Sequence, residues 1–233
     1  MKTIELLGIL SAQPVFTIND LSRILRRSDS YVKTVAYRLG RMGFIRRIEK
    51  GKYTVRDDAI EIASYLAAPS YISFWTALMI HHLTEQLPMG AMVAVAKPRK
   101  EVMFNSEKIS FTKVSQFWGY TKMRYMDSDI FIAEKEKAVI DCMLAKNTPF
   151  DEAAKAILSG DLDYEKLVVY AKKTGSSSLA KRIGFLMEKH DRDASALLDM
   201  ADSNYIPLDW SSKRKGRKDF RWKVIINTRL DQI

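Results

Sequence analysis

Four cations lie close together in the thirteen-residue segment GFIRRIEKGKYTV, residues 43–55, beside a single acid, Glu49. Apolar positions on either side of a turn at Gly51 predict a β-hairpin for this segment. Lys and Arg side chains on such a hairpin can bind phosphate oxygens through charge and hydrogen bonds. A basic hairpin alone is most often a solvated surface, so the phosphate-binding interpretation depends on the elements that precede it. The cations of the hairpin are Arg46, Arg47, Lys50 and Lys52.

Metal binding has weak support in the sequence. His81 and His82 are adjacent, so on a helix their side chains diverge by about 100° and cannot easily share one ion. Glu85, one turn after His81, makes a hydrogen bond or ion pair the simpler interpretation. Cys142 is the only cysteine, which excludes an intrachain disulfide and a cysteine-based zinc site. We expect no metal and no cofactor, and a buried, structural Cys142.

Catalytic residues are also not indicated. Glu136 and Asp141 are five residues apart, which is not a spacing typical of a phosphoryl-transfer site, and glycines do not cluster into a phosphate loop. Lys137 and Asp141, four residues apart, predict an ion pair on a helix surface. Ser176 suits the start of a helix better than a nucleophile loop. We expect no enzyme; a nucleic-acid-modifying alternative would depend on Glu136 or Asp141.

The elements before the hairpin must position it. Apolar spacing predicts a helix over residues 2–12, and Pro14 follows it. Thr17 and Asp20 form the pattern of a capping box, which opens the helix INDLSRILRR. After SDS, the segment YVKTVAYRLGRMG predicts a third helix that ends at Gly43. Its buried face is expected to contain Val32, Val35, Leu39 and Met42.

The third helix keeps polar and basic residues on its other face. Three helices followed by a basic hairpin are the order of a winged helix-turn-helix, whose third helix enters the DNA major groove. We therefore expect base contacts from Ser30, Tyr31, Lys33, Thr34, Tyr37, Arg38 and Arg41. Backbone contacts are expected from Thr17, Arg46, Arg47, Lys50 and Lys52.

The charge distribution agrees with a polyanion as the partner. The net charge is +10 at pH 7, with 12 Lys and Arg against 7 Asp and Glu in residues 1–69. Residues 211–233 contain 8 against 2, whereas the segment between is nearly neutral. Such a balance favours nucleic acid first and an anionic membrane surface second.

The second basic segment, SSKRKGRKDFRW, has two interpretations. It is either a solvated loop before a last strand or a second contact for a polyanion. Phe220 and Trp222 could stack on bases, although alternation in RWKVI favours a buried face for Trp222, Val224 and Ile226. The candidate contact residues are Lys213, Arg214, Lys215, Arg217, Lys218 and Arg221.

The pattern changes after Pro69. Residues 58–68 predict a connecting helix, so we expect an N-terminal domain over 1–69 and a second domain over 70–233. The segment YISFWTALMIHHLTEQLP predicts one helix, and short strands, four further helices, a short helix near 193–201 and a final strand follow. The fold class is therefore α+β. No apolar segment has the length of a transmembrane helix, so we expect a cytoplasmic protein that contacts no membrane.

Several motifs in this second domain carry a family resemblance. The pattern of YISFWTALMIHHLTEQLP is matched by Tyr71, Ile72, Ser73, Thr76, Ala77, Leu78, His81, Leu83, Thr84, Glu85, Gln86 and Pro88. The IAEKEKAVIDCM segment contributes Ala133, Glu136, Lys137, Ala138 and Asp141, and SLAKRIGFLME contributes Lys181, Arg182, Gly184, Phe185 and Leu186. Gly51 and Tyr53 of the hairpin match as well, so the motifs span nearly the whole chain. In these motifs and in their order, the sequence resembles the AbiEi family. At His82 the family pattern has glycine, and we expect the helix to continue through it.

The resemblance implies a two-part protein. AbiEi proteins are the antitoxins of AbiE-type toxin–antitoxin systems in phage defence. By this resemblance, the N-terminal winged helix would bind and repress its own promoter, as a homodimer if the operator is an inverted repeat. The second domain would counter a separately encoded nucleotidyltransferase-type toxin. The alternative is a solitary winged-helix regulator whose second domain senses a ligand.

Overall fold

The computed structural model describes residues 2–159 and 161–229. It contains helices and several sheets, which confirms the mixed α+β class. The chain forms two compact units. The first contains the residues up to Ile72 with Met89–Lys113 and Lys122–Ile132, and the second contains Ser73–Pro88, Val114–Thr121 and the chain from Ala133 onward. The domain boundary expected near Pro69 stays a prediction.

Three helices and three short strands form the N-terminal part of the first unit. Its sheet has the order β1-β3-β2, and both pairs are antiparallel. Strand β1 is formed by Phe16 and Thr17, which pair with Tyr53 and Lys52. The elements are α1 Thr3–Leu10, β1 Phe16–Thr17, α2 Ile18–Leu25, α3 Asp29–Arg41, β2 Arg46–Glu49 and β3 Lys52–Thr54.

An apolar core holds these elements together. Leu6 and Leu10 of α1 are buried with Leu21 of α2 and with one face of α3. The α3 face is built from Val32, Ala36 and Leu39, whose spacing places them on one side of the helix. The prediction for Met42 was wrong: α3 ends at Arg41, and the Met42 side chain is 64% exposed.

The remainder of the first unit contains α4 and most of a six-stranded sheet. The predicted connecting helix is only five residues long, Ala59–Ala63, and begins where the Asp58 side chain accepts hydrogen bonds from the backbone N–H groups of Ile60 and Glu61. The sheet order is β6-β7-β5-β4-β9-β8. Its strands are β4 Ser70–Ile72, β5 Ala91–Val95, β6 Val102–Phe104, β7 Glu107–Lys113, β8 Tyr120–Tyr125 and β9 Ser128–Ala133.

The single helix predicted for residues 71–88 was wrong. Its first residues belong to the buried strand β4, and helix α5 covers only Phe74–Ile80. The expectation that the helix continues through His82 was also wrong, because His82 has a φ of +58°. Glycine adopts that left-handed conformation most easily. The glycine that the AbiEi pattern has in place of His82 would therefore fit this backbone conformation.

The second unit is mainly helical. The four helices predicted after residue 133 are confirmed as α6 Lys135–Ala145, α7 Phe150–Leu158, α8 Tyr164–Thr174 and α9 Ser177–Lys189. The segment near 193–201 forms a 3-10 helix, Ser195–Met200. A small sheet of order β10-β12-β11 follows, and its last strand was predicted. Its strands are β10 Ile206–Pro207, β11 Arg217–Asp219 and β12 Val224–Ile226.

None of the helices in the described part of the chain is both long enough and apolar enough to cross a bilayer.

Candidate nucleic-acid interface

Helix α3 is positioned by its neighbours as well as by its apolar face. Arg26 ends α2 in the left-handed conformation, with a φ of 53°. The Ser22 hydroxyl of α2 donates to the Asp29 carboxylate at the start of α3, at 2.7 Å. An acidic residue in the first turn also complements the positive end of the helix dipole. These contacts fix where α3 begins, and therefore which of its residues face outward.

The face of α3 opposite the core is the predicted contact face, and the structure exposes all of it. Tyr31 and Tyr37 are 53% and 66% exposed. Contacts along this face are local: the Thr34 hydroxyl donates to the Ser30 carbonyl at 3.2 Å, and Arg41 Nη1 lies 3.5 Å from the Tyr37 hydroxyl. The exposed residues are Ser30, Tyr31, Lys33, Thr34, Tyr37, Arg38 and Arg41.

Three cations of the hairpin differ in how their side chains are held: Arg46, Arg47 and Lys50. Arg47 is exposed, and its Nε donates to the Glu49 carbonyl at 3.3 Å. Lys50 is exposed in the turn, where Gly51 has a φ of +81° that favours glycine. Arg46 is half-buried and pairs with Asp57 at 2.5 Å. Arg47 and Lys50 are therefore the hairpin cations best placed to meet a ligand.

Lys52 has a different environment from the other hairpin cations. Its ammonium donates to the Leu66 carbonyl at 2.7 Å and pairs with Glu49 at 3.1 Å. Glu49 is also paired with Arg99 at 2.6 Å. Partial burial raises the pKa of Glu49, but hydrogen bonds from Arg99 and Lys52 outweigh it and the pKa is lowered overall. Lys52 thus stabilises the turn end of the hairpin, and it is not part of the proposed interface.

Thr17, also predicted as a backbone contact, has its polar groups engaged in the start of α2. Its hydroxyl accepts from the Asp20 backbone N–H at 3.2 Å and donates to the Asp20 carboxylate at 2.7 Å. The Thr17 N–H donates to the same carboxylate at 2.8 Å. This confirms the capping box. We also leave Thr17 out of the proposed interface.

Helix α3 and the hairpin together line one groove of about 370 Å³. The sequence reasoning missed Tyr53, Gly40 and the apolar floor at Ile45. Tyr53 is half-buried, and its ring stacks with the buried Phe16 ring at 6.2 Å between centres. The lining residues are Lys33, Ala36, Tyr37, Gly40, Arg41, Ile45, Arg47 and Tyr53. The groove therefore brings together Lys33, Tyr37 and Arg41 from the helix and Arg47 from the hairpin. It offers three cations, two phenol rings and a small apolar floor.

The C-terminal basic residues lie in the second unit and all are exposed. Trp222, in contrast, is 1% exposed, and its indole N–H donates to the Glu188 carboxylate at 2.7 Å. This confirms the interpretation of Trp222 as part of a buried face, shared with Val224, and excludes it as a stacking platform. The exposed cations are Lys213, Arg214, Lys215, Arg217, Lys218 and Arg221.

The motif residues Ser73, Lys137 and Asp141 meet inside the second unit. Lys137 and Asp141 form an ion pair whose side chains are 0% and 1% exposed, so the prediction of a surface ion pair was wrong. The Ser73 hydroxyl donates to the second Asp141 oxygen at 2.7 Å. Burial lowers the pKa of Lys137, and the Asp141 carboxylate opposes that shift. The Lys137 ammonium also lies 4.9 Å from the centre of the Trp118 ring.

The two adjacent histidines have separate environments. His81 Nε2 lies 2.6 Å from the Ala133 carbonyl, so its partner is a backbone group instead of Glu85. Burial lowers the pKa of His81, more than the carbonyl raises it. Among the described residues, no three His, Cys, Asp or Glu side chains are grouped in a way that could hold a metal. Cys142 is buried as predicted, and burial raises the pKa of its thiol to about 12.

The residues of the third motif hold a loop against α9. Lys181 is 1% exposed and donates to Asp202 and to the Asn204 carbonyl, both at 2.6 Å. The Arg182 guanidinium donates to the carbonyls of Leu208 and Pro207, both at 3.0 Å. The cations of this motif are therefore engaged within the unit.

Comparisons with known proteins agree with the fold and add no function. No protein-family model and no curated protein matches the chain. The RV2827C protein from Mycobacterium tuberculosis, known from a crystal structure, has a similar fold with a TM-score of 0.66. The likeness covers 94% of this chain and 89% of the other at 12% sequence identity. At that identity it shows a shared fold only.

Proposed function

We propose that residues 2–55 form a winged helix-turn-helix that binds double-stranded DNA. The groove shared by α3 and the hairpin carries this proposal, because its cations come from both elements that would meet a duplex. In the proposed complex α3 lies in the major groove, and Arg38 and Lys33 contact base edges. Arg47 and Lys50 contact phosphates of the backbone.

The absence of close acids supports this assignment. Among the described residues, Lys33, Arg38 and Arg41 have no carboxylate within ion-pair distance, and the same holds for Arg47 and Lys50. Unpaired cations on one face produce a positive potential that attracts phosphates and is screened by salt. Their partner is therefore expected to be a polyanion.

A gel-shift titration with the DNA upstream of the gene and a scrambled duplex tests the proposal. Arg47→Ala should weaken binding to both duplexes and lower the slope of log K against log salt by about one unit. Arg38→Ala should lower the ratio of specific to nonspecific affinity about 5- to 150-fold, which corresponds to a loss of about 1–3 kcal/mol. Lys100→Ala, which removes an exposed cation outside the groove, is the matched control.

The outcomes distinguish the phosphate contact proposed for Arg47 from the base contact proposed for Arg38. An unchanged salt slope for Arg47→Ala would remove the hairpin from the interface. Equal losses on both duplexes for Arg38→Ala would show that this side chain does not read sequence. Loss of binding with Lys100→Ala as large as with Arg47→Ala would reduce the proposal to nonspecific attraction of a chain with net charge +10.

We further propose that the protein is a repressor and antitoxin of an AbiE-like system, which regulates its own operon and counters a nucleotidyltransferase-type toxin. The order of the three motifs between Tyr71 and Leu186 supports this assignment. Expression of a neighbouring nucleotidyltransferase-like gene should stop growth, and coexpression of this protein should restore it. If the neighbouring gene is toxic and growth is not restored, the antitoxin assignment fails while DNA binding stands.

A cavity favours a second candidate function, a regulator that senses a ligand, but it places the ligand in the first unit instead of the second domain. It has a volume of about 590 Å³ in the first unit. The Arg56 Nε at its wall is buried, lies 3.6 Å from the Glu61 carboxylate and has no hydrogen-bond partner among the described residues. A metabolite that raises the melting temperature and changes DNA affinity would favour this function. The charged and polar side chains around the cavity include Arg56, Tyr65, Lys122, Arg124, Asp127 and Asp129.

A further inference from the structure

The basic segment near the C-terminus follows a fixed path. The Asp209 carboxylate accepts from the Ser211 N–H and hydroxyl, both at 2.7 Å. The Asn227 side-chain amide donates to the carbonyls of Asp209 and Lys213, at 2.9 and 3.2 Å. A Cβ on Gly216 would come within 1.9 Å of the Ile226 carbonyl oxygen, so the chain can approach β12 this closely only at glycine. The interpretation of this segment as merely a solvated loop is therefore incomplete.

Four side chains from separate positions converge on Tyr205. The ammonium groups of Lys218 and Lys223 lie 4.9 and 5.6 Å from the centre of its ring. The Arg214 guanidinium donates to the Tyr205 carbonyl. The Phe220 ring meets the Tyr205 ring edge to face, with 6.5 Å between centres. These five residues form one continuous surface, which we name the Tyr205 cluster.

Positive charge around this cluster exceeds the nearby negative charge. Asp219 accepts from the Trp222 N–H at 2.7 Å, and Glu188 is paired with Arg221 at 2.9 Å. Three further cations of this segment are exposed: Lys213, Lys215 and Arg217. Among the described residues, no carboxylate lies within ion-pair distance of any of these three.

The exposed ring of Phe220 indicates which class of polyanion this surface binds. Its ring is 75% exposed beside these cations. Aromatic rings within a basic groove bind unpaired bases by stacking, whereas the bases of a duplex already stack on each other. The charged groups of an acidic peptide or of a phospholipid headgroup are not flat rings that could stack on Phe220. We propose that the Tyr205 cluster and residues 211–221 form a second site, which binds single-stranded nucleic acid with bases on Phe220 and phosphates on the cations.

Fluorescence anisotropy of the full chain with labelled twelve-nucleotide strands tests this site. The probes are DNA and RNA of one mixed sequence, which distinguishes the two sources of the same chemistry. Phe220→Ala should weaken binding about 5- to 150-fold, the range found for loss of one stacked base. Phe220→Trp should retain it. Phe44→Ala, which removes a 41% exposed ring in the first unit, should have no effect.

Charge is tested separately by replacing Lys213, Lys215 and Arg217 with Gln. The slope of log K against log salt should fall by about two units, since each lost contact with a single strand changes it by about 0.7. The control replaces Lys97, Lys100 and Lys113, which are exposed elsewhere, with Gln. Equal changes in both triple variants would overturn the site.

Three further outcomes decide the proposal. Unchanged binding by Phe220→Ala, with circular dichroism showing a folded chain, would overturn it. Displacement of the strands by polyglutamate as effectively as by unlabelled strands would point to an acidic protein partner and also overturn it. Retained strand binding by Arg47→Ala would support a site separate from the proposed duplex interface, so failure of one proposal can be told from failure of the other.

Discussion

Residue types and spacing identified the exposed face of α3 but could not show the surroundings of single cations. The sequence predicted Lys52 as a phosphate contact because it lies in a basic hairpin. In the structure its ammonium is held by the Leu66 carbonyl and by Glu49, which Arg99 also contacts. Leu66 is fourteen residues away and Arg99 is fifty residues from Glu49. No local pattern contains that information.

The Lys137–Asp141 pair shows the same limit. A spacing of four residues on α6 correctly predicted that the two side chains pair, but their burial depends on α5 and on the segment around Trp118. A buried pair has different energetics from an exposed one, because loss of one partner leaves an uncompensated charge without water.

We predict that Lys137→Met destabilises the protein strongly. The substitution leaves the Asp141 carboxylate buried without its cation, and such changes cost about 3–5 kcal/mol. Urea unfolding followed by circular dichroism would measure the loss. Lys135→Met is the matched control, because Lys135 pairs with Asp161 at 2.7 Å on the surface of the same helix, where the expected loss is about 0–1 kcal/mol. Equal losses in the two variants would contradict the structural role assigned to the buried pair.

At the scale of elements, periodicity predicted most helices of the second unit and the strands with alternating burial. It failed where a short buried strand precedes a helix. Ser70–Ile72 is completely buried and therefore has no alternation that distinguishes a strand from a helix. The register of α9 against the small sheet was also not predictable, since it depends on one glycine.

Gly184 provides a prediction at this scale. A Cβ at this position would lie 2.2 Å from the Trp222 ring, so α9 can meet the indole only without a side chain. Gly184→Ala should destabilise the protein by about 1–3 kcal/mol through overpacking. Gly8→Ala in α1 is the control, because a Cβ there has no atom within 4 Å and Ala favours a helix by up to about 1 kcal/mol. A neutral Gly184→Ala in thermal unfolding would show that the indole can move aside.

At the scale of the whole molecule, the basic ends predicted from composition fall in different compact units. The α3 groove belongs to the first unit and the Tyr205 cluster to the second. Composition predicted both concentrations of charge. Composition could not show that the second concentration of charge surrounds Tyr205. The hydrogen bonds of Asp209 and Asn227 that fix the path of this basic segment are visible only in the three-dimensional structure.

Two separate sites should respond independently. We expect Arg47→Ala to weaken duplex binding and Phe220→Ala to weaken single-strand binding, and the double variant to show each loss unchanged. Sites without shared partners usually add within about 0.3–0.5 kcal/mol. Parallel titrations with a duplex and a single strand would measure both losses. A double variant that loses much more than the two single variants together would mean that one ligand uses both surfaces.

The attachment of the hairpin to Arg99 has a practical consequence for dissecting the chain. A fragment that stops at Pro69 would contain the whole hairpin, yet it would lack Arg99, which pairs with Glu49, and Asp127, whose carbonyl accepts from Arg56 at 2.9 Å. Glu49 would keep its carboxylate beside Lys52 alone. A shortened protein meant to retain a native hairpin should therefore keep Arg99 and Asp127, which lie in the later segments of the first unit, Met89–Lys113 and Lys122–Ile132.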